Sequence, residues 1–292
     1  MQDLNNTSFV IVDVETTGSD PKNNRIFDIC CIRYENNQII DVFNSLVNPH
    51  QFIPPYVSKL TGISNKKVYF APEPNEVFKN VYNFINSKPS IFVAHNANFD
   101  FSFIQNALDN YNLKLNLPVL CTLKLSRKLL PRELKKNVGS LADYFYHSIE
   151  NRHRAYDDSF ATVTILKELI ELAKTDFDIN TIDELLIFQN KPVRFTKIKS
   201  PNIDYIIEQI KEIPNEAGNF KILNKNDEVI FADEVNLLQN RLLSYFGYGE
   251  HQSKKIIQII KNAYKIEWEL KNQNLRKDIN SIFEYLVDRI KL

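Results

Sequence analysis

Residues 9–14 (Phe9, Val10, Ile11, Val12, Asp13, Val14) form an almost unbroken apolar, β-branched run, which predicts a buried strand. Similar runs at 26–34 and 39–47 predict two more strands, joined by a hairpin turn at Glu35-Asn36-Asn37-Gln38. Helical spacing follows at 75–85, then a short apolar strand at 91–94 that leads into a helix over 100–111. Further helices are expected near Val138 and from Asp158 onward, where Ala161, Ile165, Leu166, Leu169 and Ile170 form one apolar stripe. Periodicity fades over 174–209, which reads as a linker holding one short helix around 182–188. Beyond it, two short strands around an Asn-Asp turn, a helix over 236–245 and another over 253–268 predict a second module at 210–292. The expected class is therefore α/β, a mixed sheet flanked by helices in residues 1–173, followed by a small α+β module.

An acid inside an apolar strand needs a reason. Asp13 and Glu15 stand two apart, so on a strand both side chains leave the same face. Two like charges there raise each other's pKa and destabilise the fold unless a cation neutralises them. Asp100 stands at the start of a helix after an apolar strand, where capping alone would also explain it. Asp158 lies near the start of the long amphipathic helix, and His153 lies just upstream in a loop-like Asn-Arg-His-Arg stretch.

These residues fall in three motifs: Asp13-Val-Glu15-Thr16-Thr17-Gly18, His95-Asn-Ala-Asn-Phe-Asp100 and His153-Arg-Ala-Tyr-Asp-Asp158. In that order and spacing the chain resembles the DnaQ-like 3′–5′ exonucleases of the DEDDh type over about residues 7–173. The resemblance implies a ribonuclease H-like fold, with Asp13, Glu15, Asp100 and Asp158 as ligands for two divalent ions, Mg²⁺ or Mn²⁺, and His153 as general base. A histidine, with an ordinary pKa of about 6.5, suits proton removal near neutral pH. Thr16, Thr17 and Gly18 are expected to touch the terminal nucleotide, and Phe103 to stack on or wedge against a base. The implied partners are single-stranded 3′ ends, with DNA placed ahead of RNA, and a DNA polymerase. The alternatives are RNA 3′ trimming of the oligoribonuclease type and a non-catalytic nucleic-acid-binding scaffold.

Composition narrows the setting. The formal net charge is zero, so no global basic field gathers nucleic acid, and gripping a strand end through ions and local contacts is favoured. No stretch is apolar enough for a membrane span, and the start of the chain lacks a signal-peptide pattern, so a cytoplasmic location is expected. Cys30, Cys31 and Cys121 have neither disulfide nor metal spacing and read as reduced core thiols.

The second module looks like the opening of a GIY-YIG nuclease domain, of the kind found in the excision-repair incision nuclease, over about residues 210–290. Its two signatures stand as Gly218-Asn219-Phe220 and Phe231-Ala232-Asp233. Phe220 and Phe231 occupy the places of tyrosines, keeping the ring and losing the hydroxyl. Asp233 replaces a glycine, and Glu234 stands where a basic residue is usual. Arg241 matches the family arginine, and Glu284 loosely matches its metal-binding glutamate. These departures imply a module without catalysis that serves as a scaffold or docking surface. Lys254, Lys255, Lys261 and Lys265 are expected on one helical face opposite Ile256, Ile257, Ile260 and Tyr264.

Overall fold

A computed structural model describes residues 3–149, 152–192 and 194–271, and it divides into two compact units at Arg194/Phe195. In the first unit, β1 (Phe9–Thr16), β2 (Ile26–Glu35) and β3 (Gln38–Leu46) form an antiparallel meander. Asn36 and Asn37, with φ of 48° and 61°, make the two-residue turn between β2 and β3, the left-handed pair that a tight hairpin requires and that asparagine tolerates. Then come α1 (Pro55–Thr61), α2 (Asn65–Tyr69), α3 (Pro74–Asn86), β4 (Ile91–Ala94), α4 (Asn98–Asp109), β5 (Val119–Cys121), α5 (Thr122–Leu129), α6 (Val138–Tyr144), α7 (Ala155–Phe177) and α8 (Ile182–Phe188). β4 and β5 run parallel to β1, giving a mixed five-stranded sheet in the order β3-β2-β1-β4-β5.

Strand alternation divides the sheet's apolar residues between two layers. Phe9 and Ile11 of β1, with Cys30 and Ile32 of β2, face a core built largely by α5 and α7. Val10, Val12 and Val14, with Ile29 and Cys31, face α3 and α4. The three cysteines are buried and free, as their spacing suggested. A small third cluster joins Phe27 of β2 to Ile53, Val57, Ile63 and Val68 and so fastens α1 and α2 to the sheet.

The boundary between the units falls inside the span 174–209 expected as a linker, and the short helix expected around 182–188 is α8, but much of the span is packed. α7 continues to Phe177, and Ile179, Ile182 and Leu185 pack into the α7-side core. α8 is held by a reciprocal cap between Thr181 and Glu184. Farther on, Ile198, Ile206 and Ile210 belong to the core of the second unit. Short apolar segments of this sort owe their order to the cores they join, which is why the sequence revealed α8 and not the packing around it.

The second unit contains β6 (Thr196–Lys197), α9 (Ile203–Lys211), β7 (Gly218–Leu223), β8 (Val229–Val235), α10 (Leu238–Phe246), β9 (Glu250–His251), α11 (Lys254–Asn262) and β10 (Lys265–Leu270). β7 is central in a three-stranded antiparallel sheet with β10 and β8 at its sides. The helix expected over 253–268 stops at Asn262. From Lys265 the alternation Lys-Ile-Glu-Trp-Glu-Leu has period two, Ile266 is buried, and the segment pairs along β7. The four lysines therefore do not share a helical face, since Lys265 lies on β10, paired with Glu267 at 2.7 Å. Glu284 lies outside the described residues.

Candidate active site

Asp13 and Glu15 continue the alternation of Phe9 and Ile11, so both carboxylates leave β1 on the side where α7 packs. Asp158 stands in the first turn of α7, facing them. Asp100 stands in the first turn of α4. Because β4 is parallel to β1, the chain leaving β4 emerges at the carboxyl end of β1, and the Val14 N–H donates to the Asp100 carboxylate there. His153 immediately precedes α7 with a left-handed backbone, φ 63°, and its N–H donates to Asp158 Oδ2 at 3.1 Å. Such a backbone is uncommon outside glycine and marks a constrained position. A ring nitrogen of His153 and carboxylate oxygens of Glu15 and Asp158 all lie within 4.8 Å of one another.

The electrostatics follow from this crowding. Burial pushes the Asp13 carboxyl well above the usual carboxylate range, with Asp100, Glu15, Asp158 and Asp28 adding to the effect. Glu15 is pushed up to about 8, by burial first and then by Asp158, Asp28 and Asp100, against a smaller pull from Arg154. Burial also takes Asp100 to about 8 against its backbone hydrogen bonds. Asp158 is raised by burial and partly relieved by His153. Four carboxyls raised by burial, two of them further by their acidic neighbours, are a hard-oxygen donor set lacking positive charge at a strand end, and divalent cations would supply it.

The fifth acid, Asp28, escaped the sequence reading. It lies opposite Glu15 on β2 and is 1% exposed, and Arg154 Nε donates to its Oδ2 at 2.9 Å. The signal was present: Asp28 interrupts the apolar run Ile26-Phe27-Asp28-Ile29 just as Asp13 interrupts its own. Burial raises the Asp28 carboxyl, and Arg154 pulls it back down.

The expected substrate contacts fare unevenly. Phe103 is 1% exposed, lies within the α4-side core and packs against Phe99 with ring centroids 4.8 Å apart. It has no face open to a base. Buried Asp100, Phe103, Ile104 and Leu108 lie at helical spacing on the inner stripe of α4. Thr16 and Thr17 are buried with engaged hydroxyls: Thr16 Oγ1 donates to Gly18 O at 2.7 Å, and Thr17 Oγ1 donates to Gln51 Oε1 at 2.5 Å while accepting from the Arg25 N–H at 3.0 Å. These side chains shape the loop. Gly18 is partly exposed, and a Cβ there would meet the Asn24 side-chain amide at 2.6 Å.

The family model described as Exonuclease (RNase_T) matches residues 10–166, a segment that holds Asp13, Glu15, Asp100, His153 and Asp158. The chain belongs to this exonuclease family. Among curated relatives, it is 32% identical over 290 residues to the PolC-type DNA polymerase III of Clostridium perfringens, covering 95% of this chain and 19% of the relative. It is 30% identical over 273 residues to a putative bifunctional exonuclease/endonuclease protein of Mycobacterium tuberculosis, covering 90% of this chain and 41% of the relative. It is 32% identical over 165 residues to the 3′-5′ exonuclease DinG of Staphylococcus epidermidis, covering 56% of this chain and 18% of the relative. The chain thus spans less than half the length of each of these relatives. Among solved structures, Exonuclease X in complex with 5′ overhanging duplex DNA aligns at a TM-score of 0.51 with 22% identity, covering 62% of this chain and 99% of that one. That likeness bears on the fold of this exonuclease unit, a mixed sheet flanked by helices. Among the described residues no helix is long and apolar enough to cross a membrane.

Proposed function

We propose that the first unit is a 3′–5′ exonuclease dependent on two divalent ions, Mg²⁺ or Mn²⁺, which removes nucleotides from single-stranded DNA 3′ ends in replication proofreading or repair. The observation that carries the reading is the meeting of Asp13, Glu15, Asp100, Asp158 and His153 at the carboxyl end of β1. Asp13, Glu15, Asp100 and Asp158 would hold the ions. Bound there, the ions would supply Lewis-acid polarisation of the phosphoryl group, an ionised water and stabilisation of the leaving 3′-oxygen. His153, exposed beside these carboxylates, accepts the proton of the attacking water. Asp158, bonded to the His153 N–H, keeps the loop at the site. Thr16, Thr17 and Gly18 present the terminal nucleotide through loop backbone. The polarity and the polymer are supported by the names of the relatives, and a DNA polymerase is the proposed partner on the same ground. Buried free thiols accord with a cytoplasmic chain.

The test is release of mononucleotides from 3′-labelled and 5′-labelled single-stranded DNA and RNA with Mg²⁺ or Mn²⁺. The intact chain is compared with Asp13→Ala and His153→Ala. Stepwise 3′ trimming absent from both variants is expected, faster on DNA. Faster trimming of RNA would move the reading to the oligoribonuclease type. A folded protein inactive on both polymers would move it to a nucleic-acid-binding scaffold.

The second unit we read as a GIY-YIG-like module that has lost its chemistry. The match to the putative bifunctional exonuclease/endonuclease relative covers 90% of the chain and so reaches past Arg194. Within the unit, Phe220 and Phe231 pack with centroids 6.0 Å apart, and Arg241 pairs with Asp233 at 3.3 Å. An arginine held by a carboxylate is poorly placed to receive phosphate.

A further inference from the structure

The segment joining β3 to α3 leaves a row of large apolar side chains uncovered. Val57 and Thr61 of α1 and Val68 of α2 point inward. Tyr56 and Leu60, at i and i+4 on α1, are exposed, as are Tyr69 and Phe70 at the end of α2, 70% and 77% open. Phe52 extends the row toward the site at 69% exposure. Scattered exposed apolar residues need no explanation, but five within nineteen positions of one small subdomain do. Tyr69 and Phe70 stand edge to face at 5.1 Å, so a ring face remains available on the pair.

Two further observations say what covers the row. The first is continuity with the candidate active site. Gln51, next to Phe52, accepts the Thr17 hydroxyl and donates to Asn23 O at 2.9 Å. The Asn65 side chain clamps Ile53 at both its N–H and its C=O, at 2.7 and 3.0 Å. Phe27, next to Asp28, anchors the subdomain's core. The second is charge. Lys59, Lys66 and Lys67 are interleaved with the exposed rings, and Lys67 lies near enough that its charge acts on the Asp28 carboxyl. Rings that accept any base, interleaved with cations and starting beside a phosphodiester site, make a path for a strand.

We propose that the exposed face of α1 and α2, with Phe52, is a docking surface for the single-stranded nucleic acid running away from the 3′ end held at the active site. It rests on the exonuclease reading above and deepens it. The rings stack on bases upstream of the scissile bond, and the lysines neutralise the phosphates between them. The surface therefore sets affinity for long strands and leaves bond cleavage to the carboxylate site.

The experiment uses the full chain and the double variant Tyr56→Ala/Phe70→Ala, both exposed positions where truncation leaves the core intact. Binding of fluorescein-labelled dT15 and rU15 is measured by anisotropy in EDTA, and hydrolysis of the p-nitrophenyl ester of thymidine 5′-monophosphate is measured with Mn²⁺. Binding about tenfold weaker or more is expected, with ester hydrolysis unchanged. Loss for one polymer only would also support the surface and would name its strand. Unchanged binding of both 15-mers would overturn it and leave the rings to a protein partner. No binding by the parent chain, or an equal fall in ester hydrolysis, would overturn it as well. Failure of the exonuclease reading shows separately, as a parent chain inert toward ester and polymer, and the binding arm then still decides the surface.

Discussion

Arg154 follows the candidate general base and turns back to the sheet to meet Asp28, whose carboxylate is buried beside Glu15 and also accepts from the Ala155 backbone. Removing one member of a buried pair leaves the other without compensation, at about 3 kcal/mol. Arg154→Met is expected to lower the thermal midpoint by roughly 10 °C for a chain of this size, and adding Asp28→Asn should restore part of it. Additive losses in that double-mutant cycle would show the two side chains to be uncoupled. The raised carboxyls make a second expectation. Glu15 and Asp100 keep their protons to about pH 8 in the folded, metal-free chain, whereas carboxyls of the unfolded chain ionise near pH 4. Between roughly pH 4 and 8 the folded state therefore binds more protons, and stability falls as pH rises. The metal-free midpoint should be lower at pH 8 than at pH 6, and Mg²⁺ or Mn²⁺ should narrow the gap. Glu15→Gln should raise the pH 8 midpoint without metal. A metal-free profile flat across this range would contradict the crowding.

At the scale of elements, β5 is an edge strand of three residues, and its pairing is completed by a side chain. Gln189, 6% exposed just beyond α8, accepts the Cys121 N–H at 2.9 Å and donates to Val119 O at 2.8 Å, as a neighbouring strand would. Gln189→Ala orphans both backbone groups, and a loss of about 1–3 kcal/mol is expected. Denaturant titration with an unchanged slope would measure it; a loss below the scatter of surface substitutions would mean water replaces the amide. Contacts of this kind explain what was legible in the sequence. Long runs with a clear period gave β1, β2, α3 and α7 to within a few residues; acids inside an apolar run drew attention to Asp13 and Glu15, and Asp100, Asp158 and His153 were added by the motif resemblance. Nothing local in 174–194 announced that Gln189 would close a sheet edge. Phe103 was misread because nearness to Asp100 in sequence was weighed above its place on the inner stripe of α4. In β10 a period-two segment was absorbed into the helix before it, since Tyr264 and Trp268 also fit helical spacing.

On the scale of the whole molecule, each unit has its own core. The apolar clusters of the first end with α8, and that of the second begins at Ile198. Residues 1–194 should therefore fold alone and trim 3′ ends at the rate of the full chain. The second unit's contribution to nucleic-acid affinity can be judged from its charges. Lys265 is paired with Glu267, Lys271 with Glu234, and Lys211 with Glu208. Over residues 195–292 the fifteen lysines and arginines are nearly matched by fourteen acids, so the unit carries little net positive charge to displace counterions. Each phosphate contact to a single strand contributes about 0.7 to the slope of log affinity against log salt. Removing residues 195–292 should therefore change that slope for single-stranded DNA by less than about 0.7. A fall of roughly 1.4 or more would place at least two phosphate contacts in the second unit and make it a nucleic-acid docking module. An unchanged slope, with trimming intact, would leave it to contacts with protein.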